Sequence, residues 1–155
     1  MKLSRIFIIN LLFIAAMFGL STWAWVQLPP NAQIPTRFDF DGTPIAYMGK
    51  IGGLLLSPLI ALTLAITDLI LPKIEPNRDN MRRSAKAYNV FSVAIIIFFG
   101  IVHAVIVLSA LEKTVNTTNV ISIALGGFMI VIGNYFSKIR RNYSFGFRLS
   151  NRSQI

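Results

Sequence analysis

Four stretches of this sequence, Ile6–Val26, Ile51–Leu71, Ala87–Leu111 and Thr114–Ser137, run almost without charge. Each reaches or exceeds the roughly 20 residues with which an apolar α-helix crosses about 30 Å of hydrocarbon. A water-soluble chain would have to hide four such helices behind its own polar surface. Here only 14% of the residues are charged, against 54% apolar. The expected fold is therefore an all-α membrane protein with four transmembrane helices, in a single integral membrane domain over residues 1–155. The spans are expected at about 6–26, 51–71, 88–111 and 118–137.

Charge sets the expected orientation. Lys2 and Arg5 precede the first span, Lys73, Arg78, Arg82, Arg83 and Lys86 lie between the second and third, and Lys138, Arg140, Arg141, Arg148 and Arg152 follow the fourth. Only Arg37, Lys50 and Lys113 fall on the other side. The positive-inside rule then predicts N-in/C-in topology: an extracellular loop at 27–50, a cytoplasmic loop at 72–87 and a basic cytoplasmic tail at 138–155. With the cations placed at membrane ends, the net charge of +9 implies membrane lipid as a partner. No segment is large enough for a folded basic module, so direct nucleic-acid binding is not expected. The first apolar run exceeds the usual signal-peptide core and reads as a span. With no cysteine, disulfide and thiolate chemistry are excluded.

The segment Leu28–Lys50 holds four of the seven prolines. Each fixes its own φ and pushes the preceding residue toward extended geometry. Asp41-Gly42 followed by Thr43-Pro44 predicts a tight turn. Asp39 and Asp41 are paired carboxylates at i and i+2, suited to holding a cation or to acid–base work, and more commonly to capping a turn. The candidate binding residues of this loop are Pro35, Arg37, Phe38, Asp39, Asp41, Gly42 and Lys50.

Inside the spans the polar candidates are Asp68, His103 and Asn134. An intramembrane acid is a functional hypothesis by default, but Asp68 lies close enough to Pro72 and Lys73 to pair at the interface. His103 is the one histidine, so neither a metal centre nor a cofactor is expected; it reads first as an interhelical hydrogen-bonding group. Asn10 and Ser21-Thr22 read as glue between helices. Gly52-Gly53 and Ser57-Pro58 mark the early turns of span two. Asn80 onward predicts an amphipathic helix in the headgroup plane before span three, with Met81, Ala85 and Tyr88 on one face. Gly126, Gly127 and Gly133 offer a close-packing face on span four, compatible with a homo-oligomer. Asn116-Thr117-Thr118 is read as a chance sequon.

Catalytic motifs are nearly absent: no GxSxG, HExxH or phosphate loop occurs. A serine–histidine site would require His103 to face a serine such as Ser57, Ser92 or Ser122. No enzyme is expected.

Three segments resemble one family. Leu28-Pro29, Ile34-Pro35-Thr36-Arg37-Phe38-Asp39, Gly42, Pro44 and Gly49-Lys50 are similar to the loop of the N-terminal domain of unknown function found in SdpI-type membrane proteins. Leu71-Pro72-Lys73-Ile74-Glu75-Pro76, Asn80 and Tyr88 resemble that family's cytoplasmic link. Gly133-Asn134-Tyr135, Lys138-Ile139-Arg140, Asn142-Tyr143 and Phe145-Gly146-Phe147-Arg148 resemble its C-terminal signature. The chain departs from the family at Arg37, where histidine is usual, and after Arg148, where a Thr-Pro-Trp continuation is usual. The resemblance implies a multi-pass protein of the bacterial plasma membrane that gives immunity to a secreted peptide toxin and captures a cytoplasmic repressor. Asn80, Arg82, Arg83, Tyr88, Arg140, Asn142 and Arg148 are the candidate partner-facing residues on the cytoplasmic side. Two further expectations stand beside it: a small transporter or membrane enzyme using Asp68, His103 and Asn134, and a scaffold subunit of a larger membrane complex.

Overall fold

The computed structural model describes residues 5–74, 76, 78–113 and 115–136. Its elements are α1 (Arg5–Gln27), β1 (Gln33–Phe38), β2 (Pro44–Gly49), α2 (Lys50–Ile74), α3 (Arg78–Ala110) and α4 (Thr117–Phe136). All four helices are long and apolar enough to cross a membrane. Runs of Leu, Ile, Val and Phe suit this environment because a helix satisfies its backbone groups within itself.

α3 is the spine, packing against α1, α2, α4 and β1. Two buried layers join the first three helices. One holds Ile14, Met17, Ala61, Ala65 and Ile96; the other holds Ala24, Ile34, Leu54, Ile106 and Val107. Alanines at 24, 61 and 65 let the backbones approach closely. α4 packs on α3, and much of the rest of its surface is exposed: Ile123 is 75% exposed and Ile130 67%. A Cβ at Gly126, Gly127 or Gly133 would touch nothing within 4 Å, so the glycine face packs against none of the described residues.

The all-α expectation needs correcting between residues 27 and 50. β1 and β2 form an antiparallel hairpin. Its strands pair Gln33 with Gly49 and Pro35 with Tyr47, then slip, so that Thr36 and Ile45 stand unpaired. Proline has no N–H for a ladder and commonly sits at such a bulge. The predicted tight turn is present. The Gly42 N–H donates to Asp39 O at 3.0 Å, the Asp39 N–H donates to Thr43 O at 2.8 Å, and Gly42 takes a φ of +87°. That conformation costs glycine little and a residue with Cβ much more.

The 72–87 loop is also corrected. α2 continues through Pro72 to Ile74 and α3 begins at Arg78. α3 is unbroken over 33 residues, so no separate helix turns through the headgroup plane. Met81 and Tyr88, each 6% exposed, face the protein interior and not lipid. At the other end of α3, Asn116 Oδ1 accepts the Asn119 N–H at 3.1 Å and caps α4, a structural use for the first residue of the sequon. The candidates Arg140, Asn142 and Arg148 lie outside the described residues.

Candidate functional site

The hairpin crosses one end of the bundle and is fixed to it at three points. At its base Ile34 is wholly buried against Gly53, where a Cβ would come within 2.3 Å of the Ile34 Cβ. Beside it, Lys50 donates from Nζ to Leu28 O at 2.6 Å, and the same Nζ lies 4.5 Å from the centre of the Trp25 ring. A cation there meets both the carbonyl end of α1 and an aromatic face. At the tip, Thr118 Oγ1 of α4 donates to Phe40 O at 3.0 Å.

Asp39 and Asp41 cap the turn and do not converge on a shared site. Asp39 Oδ1 accepts the Phe40 N–H at 2.8 Å. Asp41 Oδ1 accepts the Thr43 hydroxyl at 2.7 Å and the Thr43 N–H at 2.9 Å. Those two bonds, the hydroxyl first, hold the Asp41 carboxyl below its ordinary range. Among the residues that the hairpin leaves outward are Arg37, Phe40, Ile45 and Tyr47, with Phe40 95% exposed. The second edge of β2 pairs with no strand among the described residues.

Below the hairpin, two prolines inside α2 organise the interior. A proline cannot donate to the carbonyl four residues earlier. Pro58 thus strands Leu54 O, and Pro72 strands Asp68 O. Each is met by a hydroxyl from a neighbouring helix: Ser21 Oγ donates to Leu54 O at 2.8 Å, and Tyr88 Oη stands 3.4 Å from Asp68 O. Hydrocarbon offers no water to serve such groups, so a neighbouring hydroxyl is what makes the proline tolerable.

Ser21 Oγ also lies 3.0 Å from His103 Nε2, which in turn is 3.2 Å from Met17 O. A carbonyl only accepts, so Nε2 carries the proton, and Ser21, its own proton on Leu54 O, accepts as well. Nδ1 is left with a bare lone pair and no partner. A serine nucleophile must give its proton to histidine, and here the direction is reversed. With Ser21 4% exposed and His103 0%, the pair ties three helices together.

The second polar cluster sits about 16 Å along α3, eleven residues at 1.5 Å each. The Asp68 carboxylate accepts from Tyr88 Oη at 2.8 Å and from the Ser92 hydroxyl. Asn10 Nδ2 donates to Ser92 Oγ at 2.7 Å. Asp68 therefore bonds to neutral hydroxyls, not to Lys73 as the sequence suggested. Between the two clusters lies the apolar layer of Ile14, Met17, Ala61, Ala65 and Ile96.

The predicted residues thus divide. Arg37, Asp39 and Asp41 are exposed on the hairpin, with Phe38 and Gly42 half-buried. Pro35 and Lys50 are buried, Lys50 by its contacts with Leu28 O and the Trp25 ring. Asp68 and His103 belong to different clusters, and Asn134 is exposed on α4 and joins neither. Asn80 is half-buried, Arg82 and Arg83 are exposed near the start of α3, and Tyr88 is bound into the Asp68 cluster. Ser21 was missed as the partner of His103, Ser92 as a partner of Asp68, and Asn10 as the donor to Ser92. Counting four residues back from each proline would have marked Leu54 and Asp68 as the places where partners gather.

Residues 12–62, covering most of α1, the hairpin and the first half of α2, match the family model of a domain of unknown function, DUF1648. No curated protein and no solved structure matches the chain.

Proposed function

We propose that this chain is a non-enzymatic protein of the bacterial plasma membrane, resembling the SdpI family, that meets a secreted peptide toxin on its outer face. The observation that carries the reading is the hairpin: an unpaired β2 edge beside outward Phe40, Ile45 and Tyr47, seated on the end of a membrane bundle. An extended apolar peptide fits such an edge by adding a strand, with main-chain bonds giving affinity and alternate side chains specificity. The distribution of basic residues supports placing this end outside and the end where α3 begins inside. In this reading the change passes along α3 to Arg82 and Arg83, the surface offered to a cytoplasmic repressor. A scaffold or homo-oligomeric role draws its support from the bare faces of α4.

The test is survival of cells with and without this gene when challenged with peptides encoded by its genomic neighbours. Ile45→Ala/Tyr47→Ala should abolish protection while the chain remains in the membrane. Undiminished survival of that variant would remove the hairpin as the contact. Orientation is read separately from single cysteines placed as Phe40→Cys or Arg82→Cys in this cysteine-free chain, using a thiol probe confined to the exterior. Labelling at 82 and not at 40 would invert the assignment.

A further inference from the structure

We propose that Asn10, Asp68, Tyr88 and Ser92 form a binding site for one small monovalent cation of the sodium type. The site lies at the end of the bundle remote from the hairpin and does not depend on the toxin reading.

The argument is a surplus of acceptors. The protons of Tyr88 and Ser92 both go to the Asp68 carboxylate. Ser92 has no second proton, so its oxygen must face a donor, and that fixes the amide of Asn10 with Nδ2 toward Ser92. Asn10 Oδ1 is then the outward atom of a side chain 1% exposed, with no hydrogen-bond partner. A buried amide oxygen without a donor forfeits the hydrogen bonds it would make in water. The carbonyl of Asp68, which cannot receive an N–H from Pro72, is a further oxygen, with Tyr88 Oη 3.4 Å away. The residues that carry these amide, carboxylate and hydroxyl oxygens line one cavity, and the hydroxyl protons are already committed to Asp68.

Charge points the same way. Asp68 brings one negative charge, and no ion pair to it stands among the described residues. One monovalent cation neutralises it; a divalent ion would leave a positive charge uncompensated in apolar surroundings. Transition metals prefer nitrogen and sulfur, and no group of three His, Cys, Asp or Glu occurs among the described residues. Asn10, Asp68, Tyr88 and Ser92 line a cavity of about 50 Å³, with Asn89 adding another amide. One water requires about 10–15 Å³ by the same measure, so a cation with a remaining water fits. Carboxylates and helix carbonyls released from their ladder are a general means of holding sodium within membrane helices.

The experiment uses the purified full chain in nanodiscs of zwitterionic lipid. Radioactive sodium is the probe, and choline chloride holds the ionic strength. Saturable binding of about one sodium per chain is expected, abolished by Asp68→Asn. Asn10→Ala keeps the carboxylate and should weaken sodium about tenfold, the equivalent of about 1.4 kcal/mol. No saturable binding by the wild-type chain would overturn the proposal. Undiminished binding by folded Asp68→Asn would overturn it as well. If Asp68→Asn does not fold, Asn10→Ala decides, and an unchanged sodium affinity counts against the site.

Discussion

Gly53→Ala adds one methyl group where the hairpin meets the bundle. The new carbon would lie 2.3 Å from Ile34 Cβ and 2.7 Å from both Cγ1 and Cγ2. Carbon atoms pack at about 3.5–4.0 Å, so one backbone must retreat by more than about an ångström. No rotation of Ile34 relieves the clash, because its Cβ does not move with χ1. Nor is there space behind it, since Ile34 is enclosed with Ala24, Leu54, Ile106 and Val107. Overpacking of this kind costs about 3 kcal/mol, the upper end of its usual range. Replacing a helical glycine with alanine returns up to about 1 kcal/mol. The net loss is about 2 kcal/mol, or roughly 30-fold in the folded-to-unfolded ratio. Gly100→Ala is the control: nothing lies within 4 Å of its added carbon, so only the helix gain remains. Thermal unfolding in detergent micelles reads the stability, and tryptic cleavage at Arg37 reads the seating of the hairpin. If Gly53→Ala melts no earlier than the wild type and Arg37 stays equally protected, the hairpin is not held against α2.

Two other outcomes follow from the same geometry. Ser21→Ala strands Leu54 O and should cost about 1–3 kcal/mol; in a Pro58→Ala background, where an N–H is restored to that carbonyl, the cost should fall below about 1 kcal/mol. Equal costs in the two backgrounds would show that Ser21 does not serve the proline gap. The Asp41 carboxyl titrates below its ordinary value of 3.8 when the turn is folded, so its contribution is present above that value and lost as pH falls through the lower one. Exchange of the Thr43 amide should therefore show no loosening of the turn between about pH 8 and 5, and a loosening only below about pH 4. A loosening near neutral pH would refute the assignment.

The four spans were legible because charge avoidance over about 20 residues leaves a chain few other options. α1 and α2 begin and end close to where composition put them. The hairpin was hidden by its own prolines: Pro35 and Pro44 interrupt the alternation that announces strands, and the outward face of β2 carries Ile45 and Tyr47 where a polar residue would have marked exposure. The 72–87 segment read as a loop because it is charged. Met81, Arg82, Arg83, Ala85 and Lys86 are nonetheless all compatible with helix, and packing of Met81 and Tyr88 decides the matter. Which serine meets His103 depends on the relative rotation of α1 and α3, which no single helix encodes. The stranded carbonyls, by contrast, were present in the proline positions alone.

An unbroken α3 has a mechanical consequence. Its 33 residues extend for about 50 Å, well beyond the roughly 30 Å of hydrocarbon. Ile106 touches Ile34 under the hairpin, while Arg82 stands near the opposite tip. Pivoted at Ile96, a tilt of about five degrees moves Ile106 by about 1.3 Å and Arg82 by about 2 Å. The rod is a lever with its longer arm away from the strands. Turned about that point, the unbroken helix would carry a small displacement under β1 enlarged to the arginines, with no loop in between to absorb it.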